Sequence, residues 1–244
     1  MEHVIARGKT VAREGTNTVD PTAYHWPAKT RSTVKLGKSL TADDFAIIAP
    51  KAAKTVTARV IGIVENQAPT KALSAELYVK NGYAEGNTAQ DICQIALVER
   101  HRATGNVTNG FVSGFNYQGD MAMASTVAHD SHHMIVVGTS RDTMTCAANR
   151  LGELGGGICV FKDGKELAMV ELPIAGLMSD RPATDVAHAT DQIVNAMANC
   201  GCTLNNAYMQ HSLLALVVIP ELRISDLGLV DVTKFEMTPL FIED

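Results

Sequence analysis

No stretch of this chain is long and apolar enough to cross a bilayer. The longest uninterrupted apolar run, Leu213 to Ile219, falls far short of the roughly 20 residues a spanning helix needs. No charged segment followed by an apolar core opens the sequence, so a signal peptide is not expected. These absences lead to the expectation of a soluble, cytoplasmic protein without a membrane partner. Basic charge is also scarce: 21 Lys and Arg stand against 26 Asp and Glu, for a formal net charge of -5. Without a basic stripe to neutralise phosphates, nucleic acid is not an expected partner. Five cysteines, an odd number scattered over Cys93, Cys146, Cys159, Cys200 and Cys202, make no disulfide framework in a chain of this size. Cys200-Gly201-Cys202 lacks the wider spacing and second pair of a zinc site, and reads as structural thiols at a helix end. Internal repeats and low-complexity tracts are missing too. Gly155-Gly156-Gly157 follows a helix instead of opening one, the reverse of a phosphate cradle; no nucleotide cofactor is expected.

What remains is a chain of 244 residues, 46% hydrophobic, enough to bury a full core. Residues 1–50 carry short β-like runs, Val4 to Ala6, Thr10 to Ala12 and Thr33 to Leu36, broken by Gly8, Gly15, Pro21, Pro27 and Gly37, and form a small β-rich segment. Trp26, the only tryptophan, either anchors that segment by burial or stacks on a planar base. From 51 to 244 the pattern is more regular. Val56 to Val64, Leu73 to Val79, Ile92 to Val98, Val107 to Phe115 and Met121 to Val127 read as strands of one sheet. Ser140 has the position of an N-cap for an amphipathic helix that Gly155 ends. Asp163-Gly164 marks a tight hairpin between Ile158–Phe161 and Leu167–Leu172. A second helix is expected from Pro182 to Cys200, with Gly201 beyond its end. Leu213 to Ile219 is a buried strand or helix closed by Pro220, and periodicity does not choose between them. Strands first, helices packed on them and hairpins between predict an α+β fold, with antiparallel or mixed sheet layers and a few helices.

Polar chemistry concentrates at His129-Asp130-Ser131-His132-His133, a polar turn between two apolar strands. An extended backbone would separate His129 and His133 from Asp130 and His132; a tight turn lets His129, Asp130 and His132 converge. Imidazole and carboxylate suit zinc, manganese or iron, and a carboxylate also orients a histidine acting as general base. His129, Asp130 and His132 are therefore the first candidates for catalysis and for a divalent metal, against the plain alternative of a hydrogen-bonded turn that fixes the sheet. His133 stands beside them. Glu99 and His101, at another strand end, approach the cluster if their strands are neighbours; otherwise they form a surface edge. Ser179 and Asp180 precede the second helix and either cap it or touch a substrate. His188 and His211 read as satisfied structural histidines.

The stretch Ala124-Ser-Thr-Val-Ala-His-Asp-Ser-His132, leading through an apolar strand to Val137-Gly-Thr139, resembles the C-terminal domain of bacterial adenine deaminases of the amidohydrolase superfamily. Val98-Glu-Arg-His101 with Thr104-Gly105, Leu172-Pro-Ile-Ala-Gly-Leu-Met-Ser-Asp180, and Ile219-Pro-Glu-Leu222 with Gly228-Leu-Val-Asp231 carry the same resemblance. Val4-Ile-Ala-Arg-Gly-Lys-Thr-Val-Ala-Arg-Glu-Gly15 is similar to the hairpin by which such enzymes pass from their barrel to a small β domain. The resemblance implies hydrolysis of adenine to hypoxanthine and ammonia, a purine-like ligand, and catalytic metals on a (β/α)₈ barrel of about 250 residues. The chain departs from it: it has no His-x-His pair and no room for a barrel, and His133 replaces the family's Asn. The resemblance thus implies an amidohydrolase barrel as partner, in a homo-oligomer. Two further readings stay open: a non-catalytic ligand-binding, regulatory or assembly domain, and a stand-alone metal-dependent hydrolase of another cyclic amidine or amide.

Overall fold

The computed structural model describes residues 2–20, 24–50 and 53–243; Pro21, expected as a breaker in the first segment, lies outside them. Three short strands open the chain: β1 (His3–Ala6), β2 (Lys9–Arg13) and β3 (Thr16–Asn17), an antiparallel sheet in which no residue is buried. Thr33 to Leu36 does not form the expected strand. Lys35 instead gives its N–H to the carbonyl of Arg100 at 2.8 Å, and this segment runs along the body of the molecule, followed by buried Leu40, Phe45 and Ile47. Trp26 is half-buried, edge-on to Tyr24 at 5.0 Å, and does not enter the core as an anchor.

The body is a nine-stranded mixed sheet, in the order β12-β11-β9-β10-β7-β8-β4-β5-β6. Its strands are β4 (Thr55–Ile63), β5 (Thr70–Lys80), β6 (Tyr83–Ala84), β7 (Ile92–Val98), β8 (Val107–Ser113), β9 (Met121–Ser125), β10 (Met134–Gly138), β11 (Gly157–Lys162) and β12 (Lys165–Glu171). All neighbours are antiparallel except β4 and β8. The expected strands are present, within a fold that is α+β. Period-two alternation divides the central strands between two cores. Ile95 and Leu97 face one side with Ile135 and Val137, while Ala96 and Val98 face the other with Met134 and Val136. Because β7, β9 and β10 are buried on both faces, they read as continuous apolar runs.

Helix α1 (Arg141–Leu154) covers the second face. Ser140 accepts the N–H of Thr143 as N-cap, and Gly155, at φ 75°, ends the helix in the left-handed conformation, which costs a residue without Cβ nothing. Helices α2 (Ala183–Asn199) and α3 (Ala207–Leu213) lie on the first face. A meander of β13 (Leu222–Ser225), β14 (Gly228–Asp231) and β15 (Glu236–Thr238) joins them there. Lys162 pairs with Lys165 across Asp163 and Gly164, at φ 50° and 71°, the left-handed pair a two-residue hairpin requires.

Leu213 to Ile219 is neither strand nor helix beyond its first residue: α3 stops at Leu213 and turns follow. The reason is Arg223, 1% exposed, whose guanidinium donates to the carbonyls of Leu213 (2.9 Å), Ile219 (2.8 Å) and Ala68. A buried cation that collects main-chain carbonyls outweighs the propensity of an apolar run.

Candidate active site corner

The register of β10 against β7, Met134 opposite Val98, sets His133 beside Glu99 at the end of the sheet. Strand β8 begins opposite the same residue, Val107 to Val98, and Glu99 takes the carbonyl of Asn106 at 3.0 Å. Residues 99–106 therefore form a loop closed at its base, facing the 129–133 turn. The β13–β14 turn comes over both, held by the Thr108 hydroxyl on the carbonyl of Asp226 at 2.8 Å.

Glu99 is 5% exposed and its carboxylate is fully used. It accepts the N–H groups of His101, Arg102 and Thr104 and the Thr104 hydroxyl. Burial alone would raise its pKa, but these donors hold it down to about 2, because each favours the charged form. Glu99 thus shapes the loop and offers no lone pair to a ligand.

Arg100, 1% exposed, donates to the carbonyls of His132, Ala175 and Thr126. Gly176 is pressed against it: a Cβ there would lie 2.7 Å from an Arg100 nitrogen. The guanidinium ties the histidine turn to the 174–178 turn. Burial lowers its pKa to about 10, which still leaves it charged at neutral pH.

Within the turn, His132 adopts φ 51° and returns its N–H to the carbonyl of Ala128 at 2.7 Å. Its Nδ1 accepts the N–H of Ala128 at 3.2 Å. His129 and His132 come together, ring centroids 5.4 Å apart, whereas Asp130 is exposed. Burial, then the neighbouring His129 and Arg100, lower the pKa of His132. Among the described residues no group of three His, Cys, Asp or Glu is placed to hold a metal ion. The donor set proposed from the sequence, His129, Asp130 and His132, therefore does not fit one: a main-chain donor already occupies one imidazole nitrogen of His132.

His101 and His133 do meet. Their rings are 4.7 Å apart, and His101 Nε2 is 2.8 Å from the carbonyl of Ser131. His133 is 7% exposed, with Nε2 3.6 Å from the Asp226 carboxylate. Its pKa is lowered, first by burial, while Asp226 acts in the opposite direction. These residues, with Asn106, Ser131 and Leu227, wall a cavity of about 610 Å³, within the size range of small-molecule sites. Asp226 was missed from sequence, for only the β13–β14 hairpin brings it here. Ser179 and Asp180 are elsewhere. Asp180 pairs with Arg31 at 2.6 Å and Ser179 accepts the N–H of Arg181. Neither caps α2, whose N-cap is Pro182.

A mixed sheet under helices, with histidines gathered at one strand-end corner, defines an α+β domain with a polar site at the end of its central strands. The family model described as the adenine deaminase C-terminal domain matches residues 67–236, and the chain belongs to that family. The adenine deaminase of Roseobacter denitrificans is 69% identical over 240 residues, and that of Paracoccus denitrificans 64% over 242. A more distant adenine deaminase, from Clostridium botulinum, is 39% identical over 241 residues. The matches cover 98–99% of this chain and 40% of each relative, so the chain spans less than half the length of the relatives it matches.

Proposed function

We propose that this chain is the C-terminal part of an adenine deaminase, acting with a metal-bearing barrel to convert adenine and water to hypoxanthine and ammonia. The family match over residues 67–236 carries this reading. In the relatives, the length outside the match exceeds that of this chain, which leaves room for a barrel of about 250 residues. The divalent ion, Mn, Fe or Zn, belongs on that barrel, because the described residues here offer no three-donor set. In the same reading residues 1–50 extend the small β domain, residues 51–244 form the C-terminal domain proper, and the assembly is a cytoplasmic homo-oligomer. No helix among the described residues is long and apolar enough to cross a membrane.

The part left to this chain is positioning. Glu99 and Arg100 fix the two loops, and the cavity between them carries His101, His133 and Asp226. The full commitment of Glu99 to its own loop and of His132 Nδ1 to a main-chain N–H also favours a second reading, an assembly or regulatory domain without chemistry of its own. Ammonia release from adenine tests both. With Mn²⁺, Fe²⁺ or Zn²⁺ added, the chain alone should stay at background, and the N-terminal portion of the Roseobacter relative should restore turnover. Release by the chain alone at the 1–10³ per second usual for enzymes would refute the need for a barrel.

A further inference from the structure

We propose that the cavity between the 99–106 loop, the 129–133 turn and the β13–β14 turn binds a planar heterocycle with an acceptor and a donor side by side on one edge. His133 and Asp226 would be the contacts, and the ligand class is a cyclic amidine or the lactam formed on its hydrolysis. The choice of heterocycle rests on the deaminase reading above; the donor–acceptor pattern of the cavity does not.

The proton positions follow from which groups have partners. His133 Nδ1 is fully buried and has no hydrogen-bond partner. Orphaned buried N–H groups are rarer and costlier than an idle lone pair, so neutral His133 keeps its proton on Nε2. That N–H faces the Asp226 carboxylate at 3.6 Å, beyond hydrogen-bond length. Donor and acceptor therefore lie next to each other on the cavity wall without satisfying one another. Beside His133, ring centroids 4.7 Å apart, His101 Nε2 must donate to the Ser131 carbonyl, which can only accept; His101 Nδ1 is left as a lone pair. Glu99 is excluded as a contact because its oxygens already hold four donors.

A neighbouring N–H donor and carboxylate acceptor complement an edge that carries an acceptor beside a donor. An amidine edge offers a ring nitrogen and an amino group; a lactam offers a carbonyl and a ring N–H. The same two-point logic reads adenine with a side-chain amide. A charged group is poorly served here, since the wall mixes Asp226 with the cation Arg102. Leu227, 81% exposed at the tip of the β13–β14 turn, lines the cavity and supplies apolar surface for the flat face of a ring.

Calorimetric titration of the whole chain with adenine, and separately with hypoxanthine, tests the site. Saturable binding of both, one per chain, is expected. Asp226→Asn, at a partly exposed turn position where folding is not at stake, should weaken both at least tenfold, and His133→Phe should do the same. No saturable binding up to the solubility of adenine would overturn the proposal. So would an affinity unchanged in Asp226→Asn with the far-UV spectrum of the parent. The readout does not involve ammonia, so the two ideas fail separately. Binding by a chain that no barrel activates would refute the deaminase reading alone, and an active assembly whose C-terminal chain ignores adenine would refute this site alone.

Discussion

Arg100 shows how differently one residue reads in one and three dimensions. Between Glu99 and His101 in a polar stretch it looks like part of a surface edge, yet it is 1% exposed and organises two turns through carbonyl oxygens alone. Glu99, His101 and His133 were legible because acids and imidazoles beside apolar strands stand out. Asp226 was not, because nothing local distinguishes an Asp-Leu-Gly turn that lands on a site from one that does not. His211 is buried in the core: it is 0% exposed, and burial lowers its pKa to about 4 while a main-chain contact with Met123 acts in the opposite direction. The sign follows from linkage. A folded-state pKa below the unfolded 6.5 means that only the unfolded chain takes up this proton as pH falls from 6.5 to about 4. Stability from this group is thus complete above pH 6.5 and lost down to pH 4, by about 3 kcal/mol. His211→Leu should be within about 1–2 kcal/mol of the parent at pH 7, since at most one main-chain contact, to Met123, is lost,, and should lose much less between pH 6.5 and 4. Urea unfolding at several pH values reads the difference, and parallel pH profiles for the two proteins would disprove it.

At the scale of elements, the strands, α1, α2 and the Asp163-Gly164 hairpin were legible because each rests on local periodicity or turn chemistry. Leu213–Ile219 was not: its conformation is dictated by Arg223, which sits on the next strand, together with Pro220, which has no N–H to continue a ladder,. Thr33–Leu36 failed for the opposite reason, a strand-like pattern that among the described residues finds one main-chain partner, Arg100, and no strand to pair with. Glycines separate local from tertiary demands in the same way. Gly164 has φ 71° with nothing within 4 Å of a Cβ, so Gly164→Ala meets only the left-handed backbone cost of about 1–2 kcal/mol,. Gly156, at φ 122°, would place a Cβ 2.4 Å from the Gly176 backbone and 3.0 Å from the Leu172 carbonyl. Gly156→Ala should cost more than Gly164→Ala by about 2 kcal/mol or more, since backbone itself must move. Thermal unfolding compares the two, and equal losses would show that the junction of the 174–178 turn with α1 yields to an added methyl group.

Across the whole molecule, burial is unevenly distributed. The nine-stranded sheet has apolar layers on both faces, yet the sheet of β1, β2 and β3 buries none of its residues, and Ile5 is 68% exposed. A sheet without a hydrophobic face has little independent stability in water, and its opening costs little free energy relative to the core. On the function proposed above, its exposed apolar side chains are surface for the barrel part of the enzyme. In the isolated chain, trypsin should therefore cut first at Arg7, Lys9 or Arg13. The residue-67 to residue-236 region should stay resistant, since its chain is pinned by sheet and core on both sides. The trimmed product should keep the urea midpoint of the intact chain, because no buried contact is removed with the hairpin. Mass spectrometry of the digest locates the cuts. First cleavage inside the body would show that the hairpin is not the least stable element, and a trimmed product with a clearly lower midpoint would show that the hairpin stabilises the body, so that its exposed face is not reserved for the rest of the enzyme.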